Sequence, residues 1–157
     1  MTTRFHLAGP ADAEPIAQLS NLLIESGLPW SWTEDRVRHH IRSSSSNVIV
    51  SRVGRRIIGF AIMDFYDEHA HLSLLAVIPS RRRRGTGRGL IEWLEASARA
   101  AGVFTIRLEL RSGNIGARKF YERLGYRPDG IRPAYYAGIE DALKMRRDLS
   151  VHAARRA

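Results

Sequence analysis

The tightest constraint on the fold lies between His69 and Gly102. "HAHLSLLAVIP" is an apolar run closed by Pro79, which cannot donate to a strand ladder. "SRRRRGTGRG", Ser80 to Gly89, follows. Then Leu90, Leu94, Ala98 and Ala101 return at helical spacing, and Gly102 suits the stop. The chain therefore passes from strand to helix through arginine and glycine. A helix N-terminus presents unpaired N–H groups and a partial positive charge, and phosphate binds there. Glycines remove the Cβ atoms that would hold a pyrophosphate at a distance. The stretch reads as a diphosphate cradle in which the backbone is the working part and the arginines supplement the field. A P-loop is excluded because Gly-Lys-Ser/Thr is absent. A dinucleotide fingerprint fits poorly, because the glycines alternate and no acidic residue follows a strand at the right distance.

The remaining pattern supplies the partners of this unit. Arg4 to Ala8 suits a first strand, and Ala11 to Glu25 a helix carrying Ile16, Leu19, Leu22 and Leu23. Thr33 can cap a second helix, Glu34 to Ile41. "NVIVSRVGRRIIGFAIMDFY" reads as a hairpin turning at Gly54-Arg55. "VFTIRLEL" is a strand with Phe104, Ile106, Leu108 and Leu110 alternating. "NIGARKFYERLG" is a helix capped by Asn114, with Ala117, Phe120, Tyr121 and Leu124 on its buried stripe. Two strands close the chain, around Tyr126 to Ile131 and Asp141 to Leu149. Hairpins mixed with crossovers predict an α/β fold: one mixed, largely antiparallel sheet with helices on both faces. Its 157 residues suit one domain over residues 1–150 and a short basic tail over 151–157.

Composition narrows the chemistry. With no cysteine there are no disulfides, thiolate metal sites or Cys nucleophile. The six histidines lack metal-ligand spacing, so no metal is expected; His39-His40 and His69/His71 read as surface or sheet residues. No apolar run is long enough to span a bilayer and no signal-peptide core follows Met1, so a cytoplasmic protein without membrane contact is expected. The net charge of +9 is spread along the chain rather than gathered in an arm.

"LLAVIPSRRRRGTGRGLIEWL" resembles motif A of the GNAT superfamily of N-acetyltransferases, V-x-P then R/Q-x-x-G-x-G/A at the start of a long helix. The matching residues are Val77, Pro79, Arg82, Gly85 and Gly87. "LELRSGNIGARKFYERLGY" is similar to the second motif, carried by Asn114, Ala117, Tyr121, Gly125 and Tyr126. "PWSWT", "RPAYY" and "EDALKM" add a likeness to the branch that acetylates protein N-termini, ribosomal-protein alanines among them. The resemblance implies the GNAT fold, seven strands with about four helices, and direct acetyl transfer from acetyl-CoA to an amine without a metal. It implies Glu109 as general base and Tyr121 as proton donor to the departing thiolate. Pantetheine would lie along Leu75, Ala76 and Val77. The pyrophosphate would sit on Arg82, Arg83, Arg84, Gly85, Thr86, Gly87 and Arg88, and Asn114 near the same cleft. The acceptor would meet Tyr135 and Tyr136, with Leu28, Pro29 and Trp30 on the other wall; Trp30 and Trp32 could equally be packing.

The residues themselves leave plainer readings open. Glu109 lies opposite the apolar Leu108 and Leu110, and Arg107 and Arg111 share its face, so an ion pair would also account for it. Tyr121 falls on a buried stripe, and Asn114 caps a helix whatever else it touches. Leu74 stands where the close relatives often have a polar residue. Two other functions compete: acetylation of a small amine such as an amino acid, polyamine or antibiotic, and binding of nucleic acid or ribosome through the arginines. Ribosome proximity is compatible with the N-terminal reading, and the sequence leaves monomer or homodimer open.

Overall fold

The computed structural model describes residues 3–150, so the basic tail over 151–157 lies outside the described residues. Seven strands form one sheet in the order β1-β2-β3-β4-β5-β7-β6. In chain order these are β1 (Arg4–Leu7), β2 (Ser46–Val53), β3 (Arg56–Phe65), β4 (Ala70–Val77), β5 (Thr105–Arg111), β6 (Arg127–Tyr136) and β7 (Glu140–Asp148). Every pairing is antiparallel except β4 with β5. That exception follows from the crossover through α3 (Thr86–Ala100), since parallel neighbours need a long connection.

The alternation of the strands builds two cores. On one face Ile49, Met63, Leu72, Ile106, Leu108 and Leu110 pack with Leu90, Ile91 and Leu94 of α3 and Tyr121 of α4 (Ile115–Arg123). On the other, Val48, Val50, Phe60, Ile62 and Leu74 meet Ile16 of α1 (Ala13–Leu23) and Val37 of α2 (Glu34–Arg42). Each face holds two helices, in keeping with the expected covering of both faces. The caps also form: Thr33 accepts from the Arg36 N–H and Asn114 from the Ala117 N–H. No helix among the described residues is long and apolar enough to cross a membrane.

Three local expectations change. β5 begins at Thr105, leaving Phe104 outside the ladder and 46% exposed. Leu22 is 70% exposed, because α1 buries only the Ala13-Ile16-Ala17-Ser20 stripe. β6 runs on to Tyr136, so the aromatic pair ends a strand rather than following one.

Candidate functional site

The candidate site opens where β4 and β5 part. Their parallel pairing covers only Ala70 with Ile106, His71 with Arg107 and Leu72 with Leu108. Beyond that point β4 continues on β3 through Val77, and β5 continues on β7 through Arg111. The divergence has a local cause. The β3–β4 register slips between Ile62–Leu74 and Met63–Leu72, leaving Ser73 as the extra residue of a bulge. A bulge bends its strand, and this one follows the last parallel pair directly. It also changes the phase of β4, so Leu72 and Leu74 enter opposite cores. Leu75, Ala76 and Val77 thus lie on an edge with no strand pairing toward β5.

At the end of that edge the chain makes a 3-10 turn, Pro79–Arg81, before α3. Arg83 and Gly85 both have left-handed backbones, φ 62° and 83°. The first helical bond of α3 runs from the Gly89 N–H to the Gly85 carbonyl at 2.9 Å. The N–H groups of Thr86, Gly87 and Arg88 therefore have no acceptor within the helix. Arg82 reaches back, its Nε donating to the Val77 carbonyl at 3.0 Å, which ties the loop to the end of β4. Arg83, Arg84 and Arg88 are exposed around it.

The alternating glycines divide their work. A Cβ on Gly85 would meet nothing within 4 Å, so glycine there answers to the left-handed backbone and an open approach. A Cβ on Gly87 would stand 3.1 Å from the Phe120 ring, and one on Gly89 2.4 Å from the Phe5 ring. Those two glycines admit aromatic packing from α4 and β1. Only the Gly87 N–H, not space beside its Cα, is left for a ligand.

Glu109 projects from β5 on the α1/α2 side, opposite Leu108 and Leu110. Arg111 is not its partner. The Arg111 Nε donates to Glu140 Oε1 at 2.8 Å and its Nη1 to the Ser26 carbonyl at 2.8 Å. Glu109 Oε1 instead lies 2.6 Å from His71 Nε2 and accepts from the Tyr135 hydroxyl at 3.3 Å. Burial pushes the Glu109 carboxyl up, but the His71 hydrogen bond and charge, with Arg132 and Tyr135, outweigh it and hold the group below the ordinary carboxylate value. It is an acceptor at neutral pH.

Tyr121 stands in the opposite core, 7% exposed, with the Phe120 and Tyr126 rings at its edges. Burial, with Tyr136 nearby, drives its phenol well above the usual range. It can donate a proton and strongly resists becoming a phenolate. Burial raises Tyr136 as well, with contributions from Tyr135 and Glu109. Tyr135 packs edge-on against it at 5.0 Å. Asn114 is exposed and engaged as the α4 cap, near the end of β5.

The segment between α1 and α2 lies beside the end of β5. Glu25 is buried and accepts from the backbone N–H groups of Ser31 and Trp32 and from the Ser31 hydroxyl. The Arg111 bond to Ser26 fastens this segment to the end of β5. Trp32 is packing, 8% exposed with Arg36 stacked on its face at 3.7 Å. Trp30 and Pro29 are exposed and Leu28 is half-buried, so these three remain available as a wall. Two cavities of about 390 and 400 Å³ meet at Tyr66, His71 and Tyr135.

Sequence reasoning missed the polar file beside Glu109. Ser73 donates to Asp64 Oδ2 at 2.7 Å, Ser46 donates to Asp64 Oδ1 at 2.5 Å, and His40 Nε2 lies 3.4 Å from the same oxygen. A signal was present: His71 and Ser73 are the two polar residues of a strand otherwise apolar.

Comparison with known proteins identifies the family and the fold. The model of the acetyltransferase (GNAT) family matches residues 16–126. The ribosomal protein bS18-alanine N-acetyltransferase of Salmonella typhimurium is 32% identical over 144 residues, 83% of this chain and 97% of that protein. The crystal structure of the ribosomal-protein-S18-alanine N-acetyltransferase from Escherichia coli superposes with a TM-score of 0.80 at 27% identity, covering 94% of each chain. An N-acetyltransferase from Thermoplasma acidophilum, solved with coenzyme A, shares the fold at a TM-score of 0.80 and 16% identity, covering 94% of this chain and 99% of that one.

Proposed function

The chain belongs to the GNAT acetyltransferase family, and from that premise we propose an acetyl-CoA-dependent transferase whose acceptor is the α-amino group of a protein N-terminus. The observation that carries the reading is the wedge between β4 and β5. An anionic carboxylate, Glu109, stands on β5 on one face of the sheet, and a protonated phenol, Tyr121, lies in the core of the other. The residues present suit the donor. Val77 and its neighbours offer an unpaired strand edge, and Thr86, Gly87 and Arg88 offer free N–H groups beside the open Gly85.

In this reading acetyl-CoA supplies the activated thioester and the chain's residues govern the protons. Glu109 takes one from the incoming ammonium, which becomes a nucleophile only when neutral. An α-amine, with a pKa near ~8, gives up its proton more readily than a lysine near ~10.4. Tyr121 hands a proton to the departing sulfur. Leu28, Pro29, Trp30, Tyr135 and Tyr136 form the acceptor walls. The 32% identity to a bS18-alanine acetyltransferase supports a ribosomal-protein N-terminus and a cytoplasmic reaction beside the ribosome.

A mass-spectrometric panel tests the acceptor. Peptides beginning with Ala, Ser, Gly or Met are incubated with acetyl-CoA beside N-blocked peptides carrying one lysine and a set of small amines. One acetyl added to free N-termini alone is expected. Transfer confined to lysine or small amines overturns the acceptor assignment and leaves the donor site intact.

A further inference from the structure

Half of the sheet is uncovered on the side that Glu109 faces. The core beneath α1 and α2 draws its strand residues from β2, β3 and β4 and takes none from β5, β6 or β7. Alternation sends Leu108, Leu110, Leu143 and Met145 into the other core. Arg107 and Glu109 of β5 therefore share the uncovered face with Lys144 and Arg146 of β7. A solvated sheet face is ordinary, but this one is distinguished by its sign. Arg107 stands directly opposite Arg146, and Arg146 opposite Arg127 of β6, so three arginines lie side by side across three strands. Like charges in that arrangement destabilise a sheet. Among the described residues none of the three, nor Lys144 or Arg132, makes a side-chain hydrogen bond or an ion pair. Asp148, two positions on from Arg146, accepts from Ser150.

The cations reach the candidate site itself. The cavity of about 400 Å³ that holds Glu109 is also lined by Arg107, Lys144 and Arg132. Lys144 is the cross-strand partner of Glu109, and the Arg132 guanidinium lies 5.6 Å from the centre of the Tyr135 ring. Against these three cations the lining sets two carboxylates, Glu109 and Asp129. Glu109 is already bound to His71 and Tyr135. An arriving α-ammonium adds a further positive charge. The balance asks for an anion brought in with the acceptor. A cavity of this size takes side chains, whereas a nucleic-acid strand would have to lay its phosphates beside Glu109 and Asp129.

We propose that this face sets acceptor specificity, selecting protein N-termini that carry an acidic residue at the second or third position. The inference rests on the N-terminal reading and on Glu109 as its base. Reach sets the positions. With the amine at Glu109, Lys144 is one strand spacing away, about 5 Å, and Arg107 is two residues along the same strand, about 7 Å. An extended peptide advances about 3.3 Å per residue, so the side chains of its second and third residues come over Lys144 and Arg107. Their carboxylates supply the counter-charge that the arginine row lacks, and a guanidinium can hold a carboxylate through two parallel bonds. A basic residue at either position meets like charge and is turned away.

Three peptides test this, each with a free N-terminal Ala and a common neutral tail: one begins Ala-Asp-Glu, one Ala-Ser-Gly and one Ala-Arg-Lys. N-terminal acetylation by the full chain with acetyl-CoA is read as kcat/KM. The acidic peptide is expected to exceed the basic one by about tenfold or more, chiefly through the peptide KM, with the gap narrowing in about 0.5 M salt. In the double variant Arg107→Glu/Lys144→Glu the order should reverse. Should that chain misfold, Arg107→Gln/Lys144→Gln serves, and it should bring the three rates within about twofold of one another. Equal wild-type rates, a preference for the basic peptide, or an acidic preference that survives in the folded Gln variant overturns the inference. Equal rates together with a labelled RNA oligonucleotide that binds the wild type and not the Gln variant would overturn it and give the face to nucleic acid. If none of the three peptides is acetylated at its N-terminus, the acceptor reading itself has failed, and the inference with it.

Discussion

At the scale of single residues, the two proposed proton-handling groups are set apart by environment. Glu109 is held anionic by His71, and Tyr121 is held protonated by burial. Glu109→Gln should lower kcat by roughly 10²–10⁴-fold and Tyr121→Phe by about 10²-fold, with the KM for acetyl-CoA little changed in steady-state assays. Because the Tyr121 phenol is raised, no loss of activity from its ionisation should appear below about pH 10. The carboxylate also leaves a mark on stability. Its folded value lies below its unfolded one, so its contribution is present above the unfolded value and lost as pH falls through the folded one. Denaturant titrations of wild type and Glu109→Gln should show a gap constant from neutral pH to about 5 and shrinking below about 4.

At the scale of elements, the loop that begins α3 is shaped by contacts on either side of it. Gly89 sits under the Phe5 ring, and β1 is reached only because no Cβ intervenes. Gly89→Ala should destabilise by about 1–3 kcal/mol in denaturant melts. Combined with Phe5→Leu it should cost less than the two changes summed, because both act on one contact. Arg111 has the corresponding part on the proposed acceptor side, binding Glu140 of β7 and the Ser26 carbonyl together. Arg111→Ala frees the segment that carries Leu28, Pro29 and Trp30. The expected result is a KM for the acceptor raised about tenfold, one lost charge-assisted bond, with that for acetyl-CoA unchanged.

At the scale of the whole molecule, the proposed donor site draws on separate elements: the β4 edge, the α3 N-terminus and α4. A ligand that spans them binds the folded state alone. Coenzyme A at about 100 times its Kd should add ~2.7 kcal/mol, which raises Tm by roughly 5–10 °C in a thermal-shift assay for a chain of this size. The nucleic-acid reading forecasts the reverse pattern, no protection by coenzyme A and binding of RNA that falls steeply with salt.

What the sequence determined by itself is local. Pro79 ends a strand, the arginine-glycine turn opens a helix, Thr33 and Asn114 cap, and alternation places Glu109 opposite Leu108 and Leu110. Each of these is set by a residue's own backbone preference or by its immediate neighbours. The two motifs, with their order, also marked the family. Tertiary structure decided everything that depends on which strands meet. The bulge at Ser73 parts β4 from β5, and no period in the chain announces one extra residue. Gly87 and Gly89 are explained by rings from Phe120 and Phe5, 33 and 84 positions away in sequence on ~1.5 Å per residue of helix or more. Glu109 finds His71 rather than Arg111, because β4 and β5 lie side by side while Arg111 turns to Glu140 and Ser26. Charge and periodicity describe a residue's face, whereas a proton's path depends on tenths of an ångström between faces that only the folded sheet brings together.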